Sequence, residues 1–321
     1  AQKRDLSYSV SLTYARVQLY ATNLALTLDS LKLSQDQSAD IDLRYKVGTA
    51  SRLDQISAHK EMLSYKLLFQ QAQNDLSSAL QDLFALIGES KIYNTQRPLP
   101  TGLESKVPKD IDAPSLLVAI DPLSDTTTSL LSEKNQLTPP GETTPQIKSL
   151  SLLAKSSETA AKSQRGGNWP KLNLSAESRT AYPDSSKEEQ YNNNIFSIGV
   201  SLPLWDWKQN SSQAEKYLNE AKAEEKQKDQ RLSDMTRDHA KAANTIASLE
   251  TQRSVSEEAS REAEEVAKLT YQSYTAGKST YLEVQSANLR LIQARVNTAK
   301  IEYALVNNMA EMEYLSGSPG Q

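Results

Sequence analysis

The sequence predicts a mainly α-helical protein, built from long antiparallel helical hairpins, with one β-hairpin. Three observations predict this fold class. The stretch from Trp207 to Tyr274 has no Pro and no Gly, one turn motif occurs twice, and apolar side chains alternate with polar ones along two segments between residues 172 and 202. A single helix over the first stretch would be roughly 100 Å long, which indicates an extended assembly rather than a compact globule.

The composition limits the functional classes. Hydrophobic residues make up 38% and aromatic residues 6% of the 321 residues, and both fractions are low for a protein with a large hydrophobic core. A formal net charge of -4 offers no basic surface for nucleic acid. The absence of cysteine excludes disulfides, thiolate metal ligands and cysteine nucleophiles. No apolar run reaches the length of about 18 residues that a membrane-spanning helix needs.

The sequence carries no signature of a catalytic or metal site. His59 and His239 are far apart, and neither has a second histidine at helical spacing. There is no phosphate loop, nucleophile elbow or zinc signature. We therefore expect no cofactor, no bound metal and no enzymatic activity.

The first part of the chain predicts two long helices, at 5–46 and 52–87, which contain no Pro or Gly and are followed by Gly48 and Gly88. Helices joined by so few residues are antiparallel neighbours. Six apolar residues of the first helix, spaced alternately three and four positions apart, form one stripe: Tyr14, Val17, Ala21, Leu24, Leu28 and Leu31.

A proline-rich connector follows. Eight of the twelve prolines lie between residues 89 and 145, which forbids long helices there. Only 114–119 and 126–134 are expected to form short helical pieces. The connector is expected to wrap around the outside of another part of the protein.

The β-hairpin follows a helix predicted at 146–165. Leu172, Leu174 and Ala176 alternate with polar residues, and after a polar loop at 183–194 a second alternating segment runs to Pro203. The long helix begins near Lys208, and a final helix is predicted at 280–316. The expected segments are 1–88, a first-repeat helical hairpin; 89–145, the connector; 146–168, a leading helix; 169–207, the β-hairpin; 208–317, a second-repeat helical hairpin; and 318–321, a tail.

An internal repeat relates the two helical hairpins. Two turn regions match residue by residue at a constant offset of 229, and the same offset places Gly88 on Gly317. Each repeat unit is a long helix, a tight glycine turn and a return helix. The matching motifs are Tyr45-x-x-Gly48-x-x-Ser51-x-Leu53-Asp54 and Tyr274-x-x-Gly277-x-x-Thr280-x-Leu282-Glu283.

These features resemble the outer-membrane efflux protein family, also called the TolC family. The resemblance rests on the doubled turn motif and on two segments that flank the strands: Trp169-Pro170-Lys171-Leu172-Asn173-Leu174 and Val200-Ser201-Leu202-Pro203-Leu204-Trp205-Asp206. It implies a trimer whose helices form the wall of a periplasmic α-barrel and whose strands form a shared β-barrel in the outer membrane.

The chain departs from the family pattern because its first repeat lacks a β-hairpin. Four strands per chain are usual in the family, and here only two are predicted. The repeat offset places the start of the first long helix about twenty residues before Ala1. We therefore expect either that the complete polypeptide has more strands before Ala1 or that this form is not inserted in a membrane. The alternative is a family member or engineered variant that never had them.

The resemblance implies a passive exit duct that conducts solutes or proteins from the periplasm to the exterior, within a tripartite efflux or type I secretion system. The implied partners are two further copies of the chain, a periplasmic membrane-fusion adaptor, an inner-membrane transporter and outer-membrane lipid, with no nucleic acid. The alternative is a structural coiled-coil interaction protein without channel activity.

Candidate gate residues lie just after the two turns, which we call the tips. The resemblance places carboxylates at the tunnel mouth, and this carries over to Glu283, with Asp54 at the equivalent position of the first repeat. The alternative is helix capping, because both have the spacing of a capping box. The family's tip arginine would fall at Ser279, so a gate here would use Lys278 or Arg52.

The resemblance also implies that the tips receive the adaptor, although simple turn chemistry explains the same residues equally well. The candidate docking residues are Val47, Gly48, Thr49, Ala50, Ser51, Ala276, Gly277 and Ser279, with Leu53 and Leu282 beside them.

The second predicted strand has one apolar face, formed by Phe196, Ile198, Val200 and Leu202. We expect this face to contact lipid and the alternating face of Ser197, Gly199 and Ser201 to line the lumen. An ordinary hairpin packed on protein is the alternative. Three tryptophans lie where strands meet helices, and we expect them to form an aromatic belt at the membrane interface: Trp169, Trp205 and Trp207.

Overall fold

The computed structural model describes residues 2–89, 98–107, 116–134, 137–182, 190–205 and 207–316. The described helices are α1 (Gln2–Lys46), α2 (Arg52–Ile87), α3 (Leu123–Glu133), α4 (Pro145–Gly166), α5 (Gln209–Thr275) and α6 (Tyr281–Ser316). The described strands are β1 (Pro98–Pro100), β2 (Leu116–Val118), β3 (Lys171–Ala181) and β4 (Tyr191–Ser201). The predicted fold class, long helical hairpins with one β-hairpin, is confirmed.

The chain divides into two units. The first unit, residues 1–141 and 235–321, holds α1–α3, α6 and the later part of α5. In it, α1 packs against both α2 and α6. The predicted stripe on α1 is buried from Val17 to Leu31, and it packs against Phe69 and Leu76 of α2. The 3.6-residue period therefore identified the core-facing side of α1 correctly.

The described part of the connector packs onto these helices. On α1, Gln18 Nε2 donates a hydrogen bond to Thr126 Oγ1 at 2.7 Å, and Tyr14 Oη donates to Asp121 Oδ2 at 3.0 Å. The helix expected at 126–134 is present as α3 and begins three residues earlier, at Leu123.

The helical piece expected at 114–119 is wrong for its described residues. Leu116–Val118 is a strand that pairs in parallel with Pro98–Pro100, with Leu99 opposite Leu117. Leu99 is fully buried in the core beside α1 and α2. Burial of Leu99 holds β1 in place. The β2 strand forms because it pairs with β1, which lies eighteen residues earlier in the chain, and the strand propensity of residues 116–118 alone does not predict that pairing. Residues 114 and 115 lie outside the described part of the chain.

The second unit, residues 142–234, holds α4, the β3–β4 hairpin and the first part of α5. The strands are antiparallel, with Leu172 opposite Val200, Leu174 opposite Ile198 and Ala176 opposite Phe196. Side chains directly opposite each other share a face, so the predicted apolar face is real and is formed by both strands.

Two boundaries of the hairpin differ from the prediction. The polar loop expected at 183–194 is shorter, because β4 already begins at Tyr191, and Asn192 pairs with Thr180. The Thr180 hydroxyl donates to Asn192 Oδ1 at 2.7 Å, which supports a strand of low β-propensity. Leu202, expected in the strand, lies one residue beyond its end, next to Pro203, which has no N–H to continue the ladder.

Among the described helices, none has an apolar stretch of the length that crossing a bilayer requires.

Candidate functional site

The two tips have the same local structure. Gly48 and Gly277 have φ values of 79° and 73°, the left-handed conformation that glycine adopts at little cost. In the first tip, Ser51 Oγ accepts a bond from Asp54 N at 3.1 Å, and Asp54 Oδ2 accepts one from Ser51 N at 3.2 Å. The second tip repeats this capping box between Thr280 and Glu283, at 3.4 and 2.9 Å.

The carboxylates of Asp54 and Glu283 are thus held at the starts of α2 and α6. Their helix-capping interpretation is confirmed by the geometry of these hydrogen bonds, and a gating role stays a prediction. Arg52 stacks over the Tyr45 ring at 5.6 Å and bonds Gln55. Lys278 is exposed.

The docking candidates are mostly on the surface. Val47, Leu53 and Leu282 expose 74, 73 and 73% of their area, so each tip presents large apolar side chains to solvent. Ala50 is half-buried and packs against the cluster below the tips. Whether these side chains receive a partner stays a prediction.

Sequence reasoning missed a set of hydrogen bonds that joins the two repeats just below the tips, which we call the tip clamp. Its first half links α1 to α5. Tyr271 Oη and Arg44 Nε both donate to Asp40 Oδ2 at 2.8 Å, and Arg44 Nη1 donates to the Thr275 carbonyl at 3.3 Å.

The second half of the tip clamp links α6 to α2 and α1. Tyr281 Oη donates to Glu61 Oε2 at 2.8 Å, and Asn288 Nδ2 donates to Gln37 Oε1 at 3.0 Å. Tyr281 is only 2% exposed. It packs with the buried side chains of Ile41, Ala58 and Val284, which shield its ring from water.

The local environment keeps the clamp in its hydrogen-bonding protonation states. Burial opposes ionisation of Asp40, but hydrogen bonds from Arg44 and Tyr271 outweigh it and lower the pKa of its carboxyl. Burial, reinforced by Asp40, raises the pKa of Tyr271, and burial together with Glu61 raises that of Tyr281. Both phenols therefore stay neutral and donate at ordinary pH, and Asp40 accepts in its ionised form.

The clamp uses positions at which the two repeats differ. At the offset of 229, Tyr281 corresponds to Arg52 and Glu61 to Arg290, while Asp40 corresponds to Leu269. A search for matching residues therefore passes over the clamp. The sequence signal that could have indicated the clamp is a difference between the repeats, namely polar residues near the tips that are replaced by residues of another type in the other repeat.

In the second unit, both strand–helix junctions are tied together. Asn210, in the first turn of α5, donates from Nδ2 to Asn168 Oδ1 at 2.6 Å and accepts from Gln164 Nε2 at 2.8 Å. The backbone approaches closely at Gly167, where a Cβ would lie 3.0 Å from the Gln164 carbonyl oxygen and would require a shift of a few tenths of an ångström. The chain therefore passes from α4 into β3 directly beside the point where β4 passes into α5.

The predicted lipid-facing and interfacial residues are highly exposed. Phe196, Ile198 and Val200 expose 82, 77 and 70% of their area, and Leu172 and Leu174 across from them expose 65 and 71%. The tryptophans next to the junctions are similarly exposed: Trp169, Trp205 and Trp207. Their contact with lipid stays a prediction. Leu202 is half exposed, just outside the strand.

His59 and His239 lie apart, and no group of three metal-ligating side chains occurs within the described ranges. His239 is buried, and burial lowers its pKa although its ring is hydrogen-bonded to the Leu137 backbone.

Comparison with known proteins gives a consistent result. A family model described as outer membrane efflux protein matches residues 142–318, more than half of the chain. No curated protein matches the chain significantly in sequence.

Several solved structures share the fold. A membrane protein from Pseudomonas aeruginosa has a TM-score of 0.68 at 17% identity, covering 98% of this chain and 69% of that one. The outer membrane protein VceC of Vibrio cholerae has a TM-score of 0.65 at 18% identity, covering 98% and 70%. The open-state MtrE outer membrane channel of Neisseria gonorrhoeae has a TM-score of 0.69 at 16% identity, covering 98% and 66%.

Proposed function

The chain belongs to the outer membrane efflux protein family, and from this premise we propose that it is one subunit of a passive exit duct. Family membership makes it an outer-membrane protein of the efflux channel class. In our proposal three copies enclose a tunnel that leads from the periplasm to the exterior. A periplasmic adaptor and an inner-membrane transporter complete the system, and the transporter supplies the energy.

The observation that carries this proposal is the β3–β4 hairpin, which the described chain leaves uncovered on both faces. One face is apolar from Leu172 to Ala176 and from Phe196 to Val200, and the other is polar. An isolated two-stranded hairpin is at best marginally stable in water, and its open edges cost several kcal/mol per unpaired group in lipid. Strands of neighbouring copies and surrounding lipid satisfy both requirements.

The internal repeat supports the same assembly. Within the chain, α1 packs against α6, that is, the first helix of one repeat against the second helix of the other. In a closed ring the equivalent contact places α5 of one copy against α2 of the next. Each helical hairpin of the ring then packs against another helical hairpin on both of its sides.

The tip clamp supports a specific proposal for the periplasmic mouth. Inside one chain, the clamp joins Glu61 to Tyr281. At the equivalent seam between copies, Arg290 and Arg52 would take these places, and two arginines cannot form such a bond. We therefore place opening of the mouth at the seams between copies, while the clamped contacts inside each chain move as one.

The charges and docking surfaces of the tips complete the proposal. One Glu283 and one Asp54 from each copy would form acidic rings that favour cations, with Lys278 and Arg52 nearby. The exposed apolar residues Val47, Leu53 and Leu282 would contact the adaptor. The strands would face lipid through Phe196, Ile198 and Val200.

Native mass spectrometry in detergent, combined with planar-bilayer recording, tests the proposal. We expect a species of three times the mass of one chain, together with stepwise ion currents. A species of one or two copies that passes no current, even for the complete polypeptide, would contradict it and would favour a structural coiled-coil protein.

A further inference from the structure

His239 is a buried histidine that contacts the connector and has no role in the proposed duct. It lies on α5, and 7% of its surface is exposed. The other histidine of the chain, His59, is exposed on α2. A histidine changes its charge near neutral pH, so a buried one couples the packing around it to the proton concentration.

One nitrogen of the His239 ring holds the connector. The ring is hydrogen-bonded to the backbone of Leu137. The Leu137 N–H already donates to the Lys134 carbonyl at 3.2 Å, so the ring donates its own N–H to the Leu137 carbonyl. This bond raises the pKa of His239, which is the effect of a bond that the ring donates. Because Nε2 has no partner among the described residues, the donor is Nδ1.

The second nitrogen of the ring has no acceptor for a proton. Nε2 is buried, and within the described ranges it forms no hydrogen bond. In the neutral ring it is an unused acceptor, whereas protonation would make it a buried, charged donor without a partner. Burying such a group costs far more than burying the neutral ring. Burial is accordingly the larger influence on His239 and lowers its pKa.

Neighbouring charges do not compensate for a protonated ring. The lowered pKa of His239 is set by burial and by the Leu137 bond, and no charged side chain of the described residues contributes to it. Lys134 of the connector donates to Glu250 of α5 at 3.0 Å, and Arg237 pairs with Asp238 at 2.9 Å. The other charged side chains on the turns of α5 and α6 around the ring are Lys241, Glu311 and Glu313.

The connector covers apolar side chains beside this histidine. His239, Ala242 and Ile246 are three and four positions apart, so they share one face of α5. Leu137 packs against the cluster that contains Ala242 and Ile246. The Lys134–Glu250 bond attaches the connector earlier in the chain, so the His239 bond governs the residues that follow, 137–141, which we call the connector end.

We propose that His239 is a proton-sensitive latch, whose neutral ring holds the connector end on α5 and whose protonation releases it. The latch lies within one chain, and it adds a regulatory device to the proposed duct without depending on it. Release uncovers the apolar face of α5 at Ala242 and Ile246.

The direction of the pH dependence follows from the two environments of the ring. In the open form His239 regains water and its ordinary pKa of about 6.5, whereas in the closed form the pKa is lower. The open form therefore binds more protons, and the closed form loses stability as the pH falls from about 6.5 toward the lowered value. Within that window the opening equilibrium rises by at most about tenfold for each pH unit.

Thiol labelling of Ala242→Cys tests the latch, because the chain has no native cysteine and Ala242 is 4% exposed. Ala240→Cys, on an exposed position of the same helix, is the matched control for the pH dependence of the thiol itself. The reagent is a pyridyl disulfide, which reacts in mild acid. Between about pH 7.5 and about pH 5.5 we expect the rate at 242, divided by that at 240, to rise by about three- to tenfold.

Substitutions of the two histidines assign the effect. Adding His239→Gln, which cannot be protonated, should abolish the rise, whereas adding His59→Gln should leave it intact. Ile246→Cys, which is fully buried in the wild type, provides a second reporter. A rate ratio that is the same at both pH values for both reporters would overturn the inference, and so would an equal rise in the His239→Gln variant.

Discussion

Replacing Tyr281 with phenylalanine removes one hydroxyl and leaves the shape of the tip clamp intact. The hydroxyl donates to Glu61 at 2.8 Å, and Tyr281 is 2% exposed, so water does not replace the lost donor without local opening. A hydrogen bond to a charged group contributes about 1.5–3 kcal/mol. The opening equilibrium of the first turns of α6 should therefore rise by roughly 10- to 150-fold.

Hydrogen exchange followed by mass spectrometry measures this effect directly. We expect faster exchange in α6 from Val284 to Asn288 and in the facing turns of α2, with little change elsewhere. Tyr303→Phe is the matched control on the same helix, because the Tyr303 hydroxyl forms no hydrogen bond within the described part of the chain. Unchanged protection near Tyr281, or equal loss in the control, would refute the clamp.

Three further predictions concern other parts of the chain. Because the pKa of Asp40 is lowered, its ionised form stabilises the α1–α5 contact above about pH 4, and this stabilisation is lost as the pH falls through the lowered pKa; hydrogen-exchange protection factors of α1 and α5 around Asp40 and Tyr271 should fall on acidification, and Tyr271→Phe should weaken that dependence. Glu283→Gln keeps a capping side chain and removes the charge, so cation selectivity should fall while the Tm stays the same; unaltered selectivity would contradict the acidic ring. Phe69→Ala should lower the unfolding free energy by about 3–5 kcal/mol in denaturant titrations, because Phe69 is fully buried between α1 and α2; a loss below about 1 kcal/mol would contradict its place in the core.

The helices, the hairpin and the tips were predictable because their signals are local. A stripe such as Val17 to Leu31 needs only the helical period, and Gly48 and Gly277 mark turns through their own backbone freedom. The shared face of β3 and β4 followed from alternation at every second residue. Each of these inferences uses residues a few positions apart.

The β1–β2 pairing and the tip clamp were not predictable in this way. The apolar run Leu116–Val118 is too short for its periodicity to distinguish a strand from a helix. It forms a strand because Leu117 pairs with Leu99 of β1. The clamp bond from Tyr281 to Glu61 spans 220 residues. Its residues stand where the repeats differ, so the similarity that revealed the repeat could not reveal the clamp.

Cysteine accessibility tests the central claim, that copies of this chain enclose water, most directly. The chain has no native cysteine, so each introduced thiol is the sole target. Ser197 lies on the polar face of β4 opposite Ser175, and Ile198 lies on the apolar face opposite Leu174. A charged, water-soluble methanethiosulfonate should reduce the planar-bilayer conductance of Ser197→Cys and leave that of Ile198→Cys unchanged. Conductance of Ser197→Cys that is insensitive to the reagent would contradict the claim.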